Sequence, residues 1–184
     1  MASLTSVGLI ERVKGSGATV VSSVRYHRLA QSQIGLAAQL NSSGTATSTA
    51  VKAFERLAKP MDEFGEGATG TLLIERVQSI DEMAIAVVRT WLPLPIFEGL
   101  SEENLADSSL HRIMNLRFGI VLAGGSRQVR AIPSNASLSK MLKINVGSPL
   151  LLLEGMNTDP DGKVVEKFAT WHRADLVSLD FTIS

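Results

Sequence analysis

Cysteine is absent from this chain of 184 residues. Disulfides, thiolate metal sites and cysteine nucleophiles are therefore excluded. An excess of either charge is missing too, since eighteen basic residues balance eighteen acidic ones. Gripping nucleic acid by bulk electrostatics needs a basic excess or patch, so this polypeptide alone is not expected to bind it. Histidine is scarce. His27, His111 and His172 stand far apart without metal-ligand spacing, and neither a metal nor a cofactor is expected. Long apolar runs are lacking as well. Residues 29–51 are uncharged over a length that could span a bilayer, but Ser, Thr, Gln, Asn and Gly crowd them. Residues 1–20 carry glycines and charges where a signal peptide needs an apolar core. A cytoplasmic protein with no membrane partner is expected. Finally, there is no G-x-S-x-G elbow, no H-E-x-x-H and no phosphate-binding loop, so no catalytic residues are assigned.

What is present suits one ordinary domain, against a prior of roughly 150 residues per domain. A chain of this size buries about 70% of its unfolded surface and needs no covalent staple. Its most informative stretch is 148–173, SPLLLLEGMNTDPDGKVVEKFATWHR, in which two apolar runs flank Asp159-Pro160-Asp161-Gly162. Proline presets φ and Asp-Gly tolerates positive φ, so the segment reads as a hairpin with strands near 149–157 and 163–172. Alternation puts Val164, Glu166, Phe168, Thr170 and His172 on one face of the second strand. A carboxylate, a hydroxyl and an imidazole around a phenyl ring make either an unusual solvent face or one wall of a polar pocket.

Elsewhere, residues 7–22 read as two short strands about Gly15-Ser16-Gly17, and 25–28 as a solvated basic linker. Residues 31–40 can form a short helix; 51–57 could be strand or helix. Residues 60–70 read as a loop. Strands are expected over 71–78 and 83–92, joined through 79–82 and stopped by Pro93 and Pro95. A helical turn is expected at 101–105, and Ser108 can cap a helix from Ser109 to about Arg117. Residues 118–122 and 127–133 flank Gly124-Gly125 as a strand pair or a bulged strand. Ser137 can cap a second short helix, ended by Asn145 and Gly147, and 176–183 read as a last strand. Strands joined by short turns with a few inserted helices argue an α+β domain built on an antiparallel sheet.

Binding chemistry is the remaining signal. Arg76 interrupts an apolar strand with Leu72 and Ile74 on its face, which implies either a structural ion pair or a pocket-facing cation. Ser109, at a helix start, can cap the helix or border an anion site. Glu166 can pair with Arg76 or receive a ligand hydroxyl or ammonium. The carboxylates of Asp159 and Asp161 belong to a turn, where Asp bonds its own backbone.

The order of residues in 7–22 resembles the wing of the winged helix-turn-helix in GntR-type transcription regulators, with Gly8, Leu9, Ile10, Arg12, Gly15, Gly17 and Val20 fitting and Ala18 standing where threonine is usual. From Tyr26 onward the chain resembles the effector-sensing, UTRA-type domain of the HutC branch of those regulators. The matching stretches are LLIERVQS, WLPLPIFEGL, SSLHRIMNLRFGI, RAI, GSPLLLLEG and DGKVVEKFATWHRAD. The resemblance implies a fold shared with chorismate lyase, about six antiparallel strands with packed helices. It implies 1–24 as wing and linker, with the preceding DNA-binding helices missing, and 25–184 as the effector-binding domain. It further implies a non-catalytic homodimer that binds a small polar, often anionic metabolite and meets operator DNA only through its winged helix. A small lyase-like enzyme is the alternative. Effector contacts implied by position are Arg76, Ser109, Glu166 and Ser48. Three positions depart from the family pattern: Gln78 replaces a second arginine, Val88 a glutamate, and His111 a tyrosine, leaving Gln78 and His111 as further candidates.

Overall fold

In the computed structural model, residues 10–12, 18–20, 27–29, 47–105 and 108–179 are described. Strands β1 (Ile10–Arg12) and β2 (Ala18–Val20) pair antiparallel with Ile10 opposite Val20, the expected first hairpin. Part of the basic stretch becomes β3 (His27–Leu29), which runs parallel to β10 (Val177–Leu179). It is thus strand rather than linker. The helix expected over 31–40 and the last strand beyond residue 179 lie outside the described residues.

The body is a six-stranded sheet of β4 (Thr47–Leu57), β5 (Gly70–Ile80), β6 (Met83–Leu94), β7 (Gly124–Pro133), β8 (Pro149–Thr158) and β9 (Val164–Arg173). Its order is β4-β5-β6-β9-β8-β7, and every neighbour is antiparallel. Local chemistry sets the hairpins. Asp159 accepts hydrogen bonds on its side chain from the Asp161 and Lys163 amides, and Gly162 takes φ +81°. Between β5 and β6, Asp81 and Glu82 both adopt positive φ, the two-residue turn whose twist matches the strands it joins.

Each face of the sheet carries a helix. Helix α1 (Leu110–Phe118) buries Leu110 and Met114 in a core with Leu72, Ile74, Leu92, Phe97 and Leu100. Helix α2 (Ala136–Leu142) packs Leu138 and Leu142 on Val77, Val87 and Leu150, whose side chains point the other way. The first of these faces also carries Arg76, Gln78, Thr170 and His172.

Several boundaries differ from expectation for local reasons. Residues 51–57 are strand, paired antiparallel with β5 from Arg76 to Thr71. Pro93 does not stop β6; it sits opposite Thr71, beyond Trp91, where the pairing of β6 with β9 has ended. Ser109, not Ser108, caps α1 by accepting from the Arg112 amide at 3.4 Å. Asn135, not Ser137, caps α2 through a 2.9 Å bond from the Leu138 amide. Lys143 in left-handed conformation ends that helix, ahead of Asn145. Residues 119–123 are not strand: Gly119, at φ +67°, closes α1 with its amide on the Asn115 carbonyl, and β7 pairs instead with β8. Inside the loop at 60–70, a 3-10 turn at Asp62–Phe64 buries the Phe64 ring.

Candidate functional site

Residues directly opposite one another in an antiparallel sheet share a face. Arg76, Val88 and Thr170 therefore form one row across β5, β6 and β9, and Gln78, Ala86 and His172 the next. Toward the opposite end, Thr90 faces Phe168, which faces Gly155, which faces Arg127. Asn157 lies opposite Glu166. All of these project from the face that α1 covers.

Glu166 is 2% exposed. His111, in the first turn of α1, brings Nε2 to 2.8 Å from its Oε2, and the Asn157 amide nitrogen reaches the same oxygen at 2.5 Å. Burial alone would raise this carboxyl. The charge and hydrogen bond of His111, the Asn157 amide and the charge of Arg76 outweigh burial and hold it below the ordinary glutamate range. Both bonds fall on Oε2, so Oε1 keeps its acceptor capacity.

Arg76 is 7% exposed, and its guanidinium makes no hydrogen bond or close ion pair with any described residue. Burial depresses its pKa, while the Glu166 charge opposes that shift from a distance. Guanidinium stays protonated regardless. The cost of such a group is high unless something accepts from it. The same face holds further buried polar atoms without partners, Gln78 Oε1, Thr90 Oγ1 and both ring nitrogens of His172. Burial depresses the His172 imidazole to about 4, so it is neutral at physiological pH.

The six candidates do not all converge. Arg76, Glu166, His111 and Gln78 share the α1-covered face. Ser109 stands at the start of the same helix, but its hydroxyl is engaged as the cap. Ser48 is exposed and points away, because Thr49 and Val51 are the β4 residues paired with Gln78 and Arg76. By alternation it is Thr49, one residue on, that shares the face of Gln78.

Two residues escaped the sequence reading. Asn157 is 2% exposed and bonds Glu166. Arg127 bonds the Asn157 side-chain oxygen and lies over the Phe168 ring, 4.8 Å from its centroid. Reflecting the hairpin about Asp159–Gly162 pairs Asn157 with Val164; a bulge between Thr158 and Asn157 shifts its partner to Glu166, which the turn alone does not announce. Arg127 had no signal either, since its strand joins through a third partner.

Beside this cluster, a cleft of about 530 Å³ opens between β4 and the 3-10 turn Glu102–Leu105. Thr49, Ala50, Val51, Ser101, Glu102 and Glu103 line it. Arg76 and Glu166 are not among its walls; Val51, the cross-strand neighbour of Arg76 on β4, is. The volume falls within the range of small-ligand sites. Among the described residues, no cluster of His, Asp and Glu is placed to hold a metal ion, and no helix is long and apolar enough to cross a membrane.

Comparison with known proteins agrees with this architecture. Among curated proteins none matches. PhnF from Mycobacterium smegmatis superposes with a TM-score of 0.79 at 18% identity, covering 100% of this chain and 81% of that one. The effector domain of PhnF gives 0.76 at 18% identity, over 85% of this chain and 99% of that one. A GntR-family transcriptional regulator from Bacillus cereus gives 0.62 at 15%, over 75% and 99%. At these identities the likeness establishes the six-stranded fold. Residues 44–178 match the UTRA domain family. The chain therefore belongs to the UTRA family of ligand-sensing regulatory domains.

Proposed function

We propose that the chain senses a small polar, anionic metabolite for a GntR-type transcription regulator of the HutC branch. Arg76, Glu166 and His111 contact the effector, with Gln78 beside them. One observation carries this reading: a buried guanidinium that finds no acceptor among the described residues, its Nε fully enclosed. A ligand carboxylate or phosphate supplies what Arg76 lacks, and charge-assisted bonds of that kind are among the strongest available. Oε1 of Glu166 then takes a hydroxyl or ammonium from the same molecule. Glu102 and Glu103 at the neighbouring cleft favour a ligand whose outward end is neutral or cationic. Ser109 contributes through α1, which it caps and which carries His111. Ser48 has no part.

Residues 1–24 act as the wing and linker of a winged helix, and 25–184 as the sensor. Operator DNA is met through that winged helix, and the protein works as a cytoplasmic homodimer. The effector shifts the DNA-binding heads through a coupling free energy of about 1–3 kcal/mol, typical of such switches. The family match and the regulator neighbours support a non-catalytic reading over a lyase-like one.

A thermal-shift panel of phosphorylated sugars, amino acids and organic acids tests the proposal. An effector at ~100 times its Kd stabilises the fold by about 2.7 kcal/mol. Silence across the whole panel would count against a live sensor, and appreciable turnover of chorismate would replace it with the enzyme.

A further inference from the structure

The Glu166 carboxylate is held by a chain of contacts reaching the edge of the sheet. Arg127 on β7 has donors and no acceptor, while ionised Glu166 has acceptors and no donor. Asn157 stands between them, its side-chain oxygen toward Arg127 and its nitrogen toward Glu166. Rotating that amide by half a turn would set N–H against N–H and oxygen against carboxylate. The orientation is thus fixed by chemistry.

Arg127 is itself pinned. Its Nη1 donates to the Ser126 carbonyl at 2.7 Å and the Met156 carbonyl at 2.9 Å, and its guanidinium lies over Phe168. Two glycines let β7 and β8 approach closely enough for this. A Cβ on Gly155 would stand 2.0 Å from the Ser126 carbonyl oxygen, and one on Gly125 2.1 Å from the Met156 oxygen.

We propose that Arg127 is a positioning residue for the effector-facing carboxylate: through Asn157 it saturates Oε2 of Glu166 and leaves Oε1 as the acceptor offered to the ligand. This rests on the reading of Glu166 as an effector contact. Its consequence for specificity is that the ligand atom meeting Glu166 must be a donor. Burial works against ionisation of Glu166; the charge and hydrogen bond of His111, the Asn157 amide and the charge of Arg76 outweigh it, and the Asn157 bond is the one that Arg127 holds in place. The planar fork and the stacking on Phe168 are features a lysine lacks.

NMR of the whole chain tests the relay without any ligand. The readouts are the Glu166 carboxyl titration and the Asn157 side-chain amide pair, compared in wild type, Arg127→Met and Arg127→Lys. In wild type the carboxyl titrates low and the amide pair is protected from exchange. In Arg127→Met the titration moves up and the protection is lost; Arg127→Lys restores neither. Unchanged spectra in Arg127→Met would overturn the proposal, and so would full rescue by lysine, which would show a simple field effect. Should Arg127→Met fail to fold, Asn157→Leu cuts the relay at its middle. In that variant an unmoved Glu166 titration overturns the proposal, and an upward shift supports it. A failed effector screen would leave these results standing, and a failed relay would leave the effector reading resting on Arg76.

Discussion

His172 shows how one side chain sets an acid limit. It is 1% exposed, both ring nitrogens lack partners, and its imidazole is depressed to about 4 from an ordinary 6.5. Above 6.5 neither folded nor unfolded chain is protonated there, so the full stability is present. As the pH falls from 6.5 toward 4 the unfolded chain takes the proton first, and stability declines. Integrated over that window the loss is about 3 kcal/mol. Glu166, whose carboxyl is also held low, adds its own loss further down, below the ordinary glutamate range. Urea unfolding of wild type and His172→Gln between pH 7 and pH 4 measures this. The expected result is a markedly flatter curve for the variant; parallel curves would show that His172 does not set the slope. Arg76 and Glu166 were legible at this scale, because alternation assigns Arg76 to the face of Leu72 and Ile74, and Glu166 to that of Phe168 and Thr170. Their common face was not, because it depends on the pairing of β5 with β6 and of β6 with β9.

At the scale of elements, the β7–β8 pair depends on a contact that tolerates no side chain. Gly155→Ala would place Cβ against the Ser126 carbonyl, a backbone atom that cannot swing aside. A cost of about 1–3 kcal/mol is expected from the forced backbone shift. Because Arg127 is anchored to Ser126 and Met156, the same substitution should also expose Asn157 to exchange. Amide exchange measured along β7 and β8 checks both; wild-type protection in Gly155→Ala would refute the close packing. Elements differed in how well the sequence announced them. The β8–β9 hairpin declared itself through Asp159-Pro160-Asp161-Gly162 and its flanking alternation. The cap of α1 slipped by one residue because Ser108 and Ser109 are chemically equivalent neighbours. Residues 127–133 read as strand and lie in β7, but its partner β8 was obscured because β7 is almost wholly exposed and no apolar alternation marks which face it shares. Its edge position, with β8 as its one partner in the sheet, is the reason.

For the molecule as a whole, the sheet separates two tasks. The α2-covered face packs Leu138 and Leu142 on apolar side chains and pairs its charges, Arg89 with Glu75 and Arg130 with Glu154, whereas the α1-covered face mixes a core with buried polar groups that lack partners. A fold optimised for stability alone would not bury Arg76 without an acceptor. Arg76 is therefore expected to cost stability in the empty protein and to recover it on binding. The deciding measurement is the unfolding free energy of wild type and Arg76→Met, each with and without a compound that stabilises wild type. The prediction is that empty Arg76→Met matches wild type or exceeds it by ~1 kcal/mol, and that the compound no longer stabilises it. Arg76→Met that is several kcal/mol weaker when empty, or that responds to the compound as wild type does, would contradict an effector-binding Arg76 and make it a structural residue.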